Sequence, residues 1–257
     1  MQRLALAIRR KRFGAKSPQA AATFNELGLT LLSSGRLSEA AQVNREALDI
    51  RRRRFGNENA DVATSQNNLA HVYTQMGRLT EAEALAREAL ATRQRLFGNP
   101  SVEVADSLAN LAVVLGDKRQ WAEAEAMARE VLEMRIKLLG SEHPWVASAL
   151  NDLAWAAAAN GKQQEAETLE RKSLAMRQKL LSQEHPDVAN SLYLVGDRMR
   201  QHGNLEAAYP VLSAALSIQR KVRLRFLHPC IPRPHSAKRF LSLGHPSGGG
   251  LGKPIPR

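Results

Sequence analysis

At 257 residues and 44% apolar composition, the chain can bury one large core or two ordinary ones, which excludes a short unstructured peptide. Its net charge of +12 resembles a nucleic-acid signal, but the location of the charge argues against nucleic acid as a partner of the main body. Residues 1–25 carry six basic residues and residues 223–257 seven, with no acid in either, and the stretch between is near neutral. One cysteine, Cys230, excludes an intrachain disulfide and favours a reducing, cytoplasmic setting; no apolar run approaches the roughly 18–20 residues that span a bilayer.

In chain order, the first element is a helix over residues 1–15. Residues 5–14 (ALAIRRKRFG) align with 47–56 (ALDIRRRRFG), so the chain opens inside the second helix of a pair whose first helix is absent. That implies either an upstream extension or a helix serving as a cap. Residues 16–222 then hold five units offset by 42 residues. Ala40, Ala82, Ala124, Ala166 and Ala208 share one column, and Leu48, Leu90, Leu132, Leu174 and Leu216 another. Gly35, Gly77, Gly161 and Gly203 form a third, broken by Arg119. Apolar residues within each unit recur at helical steps. First (A) helices are predicted over 20–33, 62–75, 104–117, 146–159 and 188–201, and second (B) helices over 37–54, 79–96, 121–138, 163–180 and 205–222.

Local signals support these boundaries. Glycine after four of the five A helices supplies the left-handed conformation that ends them. Ser38 and Thr80 lie at the start of B, as N-caps or in the first turn, and Glu39, Glu81, Glu123 and Glu165 complement its positive end. Arg51–Arg54 read as a solvated helix end. Small residues on A (Gly28, Ala70, Ala112, Ala154, Gly196) are expected to face the alanine column of B. One hairpin cannot bury both its faces, so the units must stack into a solenoid. Pro210 falls inside the last B helix, where it removes a hydrogen bond. Residues 223–257 break the register, are rich in proline, glycine and basic residues, and are expected to be disordered; a shifted reading frame would also produce so abrupt a change.

Chemical constellations are lacking. His143 and His185 occupy equivalent loops before prolines and are expected to set turns rather than bind metal. The tail segment GGGLGKP departs from a phosphate loop at Ser247 and Pro254. No catalytic, cofactor or metal site is assigned.

Leu69–Ala70, Tyr73, Gly77, Leu79, Ala82, Ala86 and Ala89 resemble the tetratricopeptide repeat signature, whose usual period is about 34 residues. The helix-ending proline of that pattern is replaced by Arg52, Gln94, Ile136 and Gln178, so B can run on by about two turns. With Asn67–Ala70 (NNLA), the Glu-Ala-Glu triplets at 81–83, 123–125 and 165–167, and Glu-His-Pro at 142–144 and 184–186, the chain resembles the kinesin light chain type over roughly residues 2–222. The resemblance implies an all-α fold, a right-handed α-solenoid of tandem antiparallel helix hairpins. It further implies a non-enzymatic scaffold that binds a peptide or partner protein in a concave groove lined by A helices. The alternative is a sensor or regulatory module of a larger signalling enzyme, such as a nucleotide-hydrolysing protein.

On that basis the groove residues are Asn25, Thr64, Asn67, Asn68, His71, Asp106, Asn110, Ser148, Asn151, Asp152, Trp155, Asn190 and Asp197. Asparagine suits the task because its amide both donates and accepts without a charge to desolvate; the competing role is to bond between adjacent A helices. Trp155 is the expected hot spot. Asp106, Asp152 and Asp197 would favour a ligand with basic residues, and the groove columns contain no lysine or arginine.

Overall fold

The computed structural model describes residues 17–227, and side chains over 17 and 19–222. The helix expected over 1–15, Cys230 and the segment 228–257 lie outside the described residues. Ten helices follow one another among the described residues: α1 (Pro18–Ser33), α2 (Leu37–Phe55), α3 (Ala60–Gln75), α4 (Leu79–Phe97), α5 (Val102–Asp117), α6 (Trp121–Leu139), α7 (Pro144–Ala159), α8 (Gln163–Leu180), α9 (Pro186–Gln201) and α10 (Leu205–Leu227). Odd-numbered helices are A, even-numbered are B, and the sequential antiparallel pairs form a tetratricopeptide-type array.

The A helices start two residues earlier than apolar spacing predicts, because a capping side chain nucleates each. Ser17, Asn59 and Ser101 accept from the amides of Ala20 (3.2 Å), Asp61 (2.8 Å) and Val104 (3.2 Å). His143 and His185 do the same through Nδ1, from the amides of Trp145 and Asp187 at 3.1 Å, with proline at the first helical position. The B helices begin without a side-chain cap at Arg36, Arg78, Gln120 and Lys162; Ser38 and Thr80 sit inside the first turn.

Arg119 takes the same left-handed turn as the glycines it replaces, at φ 62° against 71–85° for Gly35, Gly77, Gly161 and Gly203. An L residue there crowds its own carbonyl, at a cost of about 1 kcal/mol. α10 passes through Pro210 and continues to Leu227, five residues beyond the predicted end. The expectation of irregular chain from 223 is therefore corrected for 223–227.

Each helix packs on the next, and A helices also pack on one another: α1 on α3, α3 on α5, and α5 on α7. No two B helices make comparable contact among the described residues. From α1 to α7 the A helices thus form the more closely spaced layer. Within a pair, volumes compensate one turn further along B than the sequence suggested. A β-carbon at Gly28 would collide with the Asn44 amide, and one at Gly196 with Leu212, whereas Ala70 and Ala112 stand at the same register as Ala86 and Ala128. On the fifth pair, which no described helix follows, Leu216 is 46% exposed where its equivalent Leu48 is 4%. Leu90, Leu132 and Leu174 are half-buried, so stacking, rather than hairpin formation, is what shields this column.

Candidate functional site

A buried polar ladder runs through the seams between A helices. Arg51, Arg93, Arg135 and Arg177 project from the ends of the B helices and are each 5–7% exposed. The Nη1 of each donates to a backbone carbonyl near the start of the next A helix: Asp61 (2.9 Å), Glu103 (2.9 Å), Trp145 (3.1 Å) and Asp187 (3.1 Å). Arg51, Arg93 and Arg177 also donate to Ser65, Ser107 and Ser191 on that helix, at 2.8, 3.2 and 2.8 Å. Each serine accepts a second bond, from Asn25 (3.1 Å), Asn67 (2.9 Å) and Asn151 (3.5 Å) of the preceding A helix. A charge taken from water needs this many partners, since an unpaired one costs several kcal/mol. Burial lowers the pKa of Arg51, Arg93 and Arg177, and neighbouring acids oppose the shift: Asp61 at Arg51, Asp106 and Glu103 at Arg93, and Asp187 and Asp152 at Arg177.

Two expectations are corrected here. Arg51 is not part of a solvated helix end; only Arg53 and Arg54 of that run are exposed, and Arg52 pairs with Glu88 of the next unit at 2.9 Å. Asn25 and Asn67, at 7% and 2% exposure, lie in the seam rather than on an open surface, and Asn151 is half-buried in the same role. The Nδ2 of each donates to the neighbouring helix, while each Oδ1 is buried with no hydrogen-bond partner among the described residues. The arginine column was visible at the same 42-residue offset as the leucines, but charge invites a surface reading that burial overrides.

The third seam, between α5 and α7, is built differently. Ala109 and Ala149 stand where the other seams have the Asn and Ser, so both partners of that bond are missing together. Arg135 donates instead to Asp106 Oδ1 at 3.2 Å, an ion pair with side chains 7% and 13% exposed. At the equivalent places Arg93 and Arg177 meet only the hydroxyls of Thr64 (3.1 Å) and Ser148 (3.2 Å). Burial raises the Asp106 carboxyl pKa, although Arg135 and Arg93 pull it down.

The remaining positions form the open face of the A layer. Asn68 and His71 are half-buried, Asn110 is buried at 8%, and Asn190 and Asp152 are exposed. Burial lowers the His71 pKa against the opposing charge of Asp117, so this ring faces neutral solution uncharged. Asp197 accepts from Arg200 Nε and Nη2 (2.8 and 2.6 Å) and from Gln201 (2.7 Å) on its own helix, so its charge is already met. Asp152 has no hydrogen bond or ion pair among the described residues. Although it reaches solvent, the surrounding walls raise its pKa, with Arg135 and Arg177 opposing. Trp155 is 41% exposed and Val113 36%. The indole of Trp155 meets Trp121 edge-on, with centroids 5.6 Å apart at 79°, and lies over Gly116, where a β-carbon would collide with it. Trp121 and Gly116 are the residues here that sequence reasoning missed. Their signal was a departure from the repeat: Trp121 stands in a column otherwise held by Leu37, Leu79, Gln163 and Leu205.

Among the described residues no group of His, Cys, Asp and Glu is placed to hold a metal ion, and no helix is long and apolar enough to cross a membrane.

The chain is similar to solved repeat structures. It is 26% identical to the nearly identical TPR-like repeats of a kinesin light chain-type protein from Podosopora anserina, with 80% of this chain and 98% of that one covered at a TM-score of 0.64. BtubC (BKLC) from P. vanneervenii matches at 22% identity over 90% and 91% of the two chains, TM-score 0.66. The Rap conjugation gene regulator of the plasmid pLS20, in complex with the Phr* peptide, shares the fold at 12% identity over 80% of this chain and 54% of its own, TM-score 0.65. No curated protein sequence matches significantly. A family model described as a tetratricopeptide repeat matches residues 1–53, 61–137 and 103–179, more than half of the sequence, and the chain belongs to the tetratricopeptide repeat family.

Proposed function

We propose that this chain is a non-catalytic scaffold that holds an extended segment of a partner protein along the concave face of its A helices. Tetratricopeptide repeat modules generally serve protein–protein interaction. The observation that carries the finer reading is Trp155, a large indole 41% exposed on the inner layer beside Val113 and Asp152; Asn68 and His71 continue the same columns two A helices away. Exposed aromatics held rigidly in a concave face are what binding hot spots are made from. The same fold holding a peptide in the Rap regulator supports this reading by analogy of fold alone. A cytoplasmic location accompanies it, supported by the single cysteine.

The test uses the intact chain and a Asn68→Ala/Trp155→Ala variant, which leaves the arginine ladder untouched. Peptides selected from a random display library on the intact chain should lose at least about tenfold in affinity for the variant, as truncation of a hot-spot aromatic does. Unchanged affinity, with both proteins melting at the same temperature, would remove the A-layer assignment.

A further inference from the structure

The third seam holds an open cavity of about 130 Å³ on the A-layer face, lined by Ala109, Val113, Val131, Trp155 and Ala156 together with Asp152. It exists because of the local departures already described. Ala109 leaves empty the volume that Asn25, Asn67 and Asn151 fill in the other seams, and Gly116 lets the Trp155 indole lie over the helix as a wall. Val131, 1% exposed, belongs to the floor, so the interior is apolar. An apolar cavity of about 150 Å³ takes up benzene, which sets the scale as one phenyl or branched aliphatic group.

Asp152 is the one carboxylate at this cavity. Of the three aspartates assigned to the face, the other two are engaged, Asp106 by Arg135 and Asp197 by Arg200; the exposed Glu26 in the Asp152 column lies on α1, away from this cavity. Arg135 and Arg177 lie close enough to feel Asp152, but neither bonds it; their Nη atoms donate to Asp106, Ser148, Ser191 and the carbonyls of Trp145 and Asp187. Desolvating Asp152 beneath a bound ligand without a cation would cost free energy, and a cation beside it would remove that cost.

We propose that this cavity is an anchor subsite for a partner segment in which a leucine- or phenylalanine-sized side chain stands next to a lysine or arginine, the apolar group entering between Val113 and Trp155 and the cation meeting Asp152. This rests on the A-layer reading and adds to it the chemistry of the ligand. Discrimination comes from both sides: a segment with an acid next to its apolar residue would place like charges together.

The experiment takes peptides selected from the same random display library on the intact chain, and compares the intact protein with Ala109→Leu and Asp152→Asn. The enriched sequences are expected to share the apolar–basic pair. Ala109→Leu should weaken such a peptide about tenfold while leaving its version with the apolar residue changed to alanine unaffected. Asp152→Asn should weaken it about tenfold, and not the version with the basic residue changed to alanine. Should Ala109→Leu fail to fold, the Asp152→Asn cycle decides alone. Enriched peptides that lack the pair, or cycles that are additive, overturn the subsite. If those peptides nonetheless lose affinity for Asn68→Ala/Trp155→Ala, the A-layer reading stands without it; if they do not, or if no peptide is enriched, both fall.

Discussion

The second and third seams of the array are the same joint built from different chemistry. Between α3 and α5, Asn67 and Arg93 converge on Ser107, and the seam is filled and polar. Between α5 and α7, Ala109 and Ala149 replace the amide and hydroxyl, Arg135 turns to a carboxylate, and a cavity opens on the A-layer face. Removing both partners of a buried hydrogen bond is nearly free, whereas removing one strands the other. The array therefore tolerates the paired loss, and the space it leaves is the cavity beside Trp155. Elsewhere the face is scaffold first: Asn25 and Asn67 spend their side chains on cohesion between units.

The largest effect expected from breaking this contrast is at Arg135. Arg135→Ala leaves Asp106 mostly buried without its ion pair, and should destabilise by about 3 kcal/mol at neutral pH, more than Arg93→Ala, which acts on Asp106 only at a distance and whose hydrogen-bond partners are neutral hydroxyls and a carbonyl. The pH dependence identifies the cause. The folded pKa of Asp106 is raised above its ordinary value of 3.8, so its charge costs stability at neutral pH, and the cost is relieved as pH falls through the raised value. Loss of Arg135 raises it further. The stability gap between variant and parent in thermal melts should narrow as pH is lowered from 7 toward the carboxylate range, and a gap independent of pH would exclude the stranded carboxylate as its origin.

A smaller effect sharpens the comparison at the second seam. Asn67→Ala alone should cost about 1–2 kcal/mol by leaving Ser107 with one partner fewer in a buried site. Asn67→Ala/Ser107→Ala reproduces the third seam's alanines and should cost clearly less than the sum of the single changes, read as the coupling in a double-mutant cycle of melting free energies. Additivity would mean that the two groups do not act as a pair.

The smallest effect is at the turn from α5 into α6, where the third unit departs from the glycine column. Arg119→Gly should stabilise by about 0.5–1 kcal/mol, because glycine takes the left-handed conformation without crowding and outweighs its added freedom in the unfolded chain. The reciprocal Gly77→Arg should destabilise by a similar amount. A melting temperature unmoved by either change would show that the turn carries no strain.

The ten helices, their pairing and the turn glycines were legible in the sequence, because a 42-residue repeat imposes the same local chemistry at each pass and helix formation depends mostly on neighbours in the chain. Helix starts were displaced by two residues only because the caps at Ser17, Asn59, Ser101, His143 and His185 outrank apolar spacing. The face of the A layer was legible as a set of columns but not as a surface. Whether an asparagine points at a ligand or at a serine 40 residues away is decided by stacking, and so is whether an arginine at a helix end is solvated or enclosed. Those outcomes depend on which unit packs next, over distances the local sequence does not encode. The cavity beside Trp155 is the clearest case: it needs Ala109, Gly116, Val131 and Trp155 from three helices to come together, and only the tertiary structure brings them there.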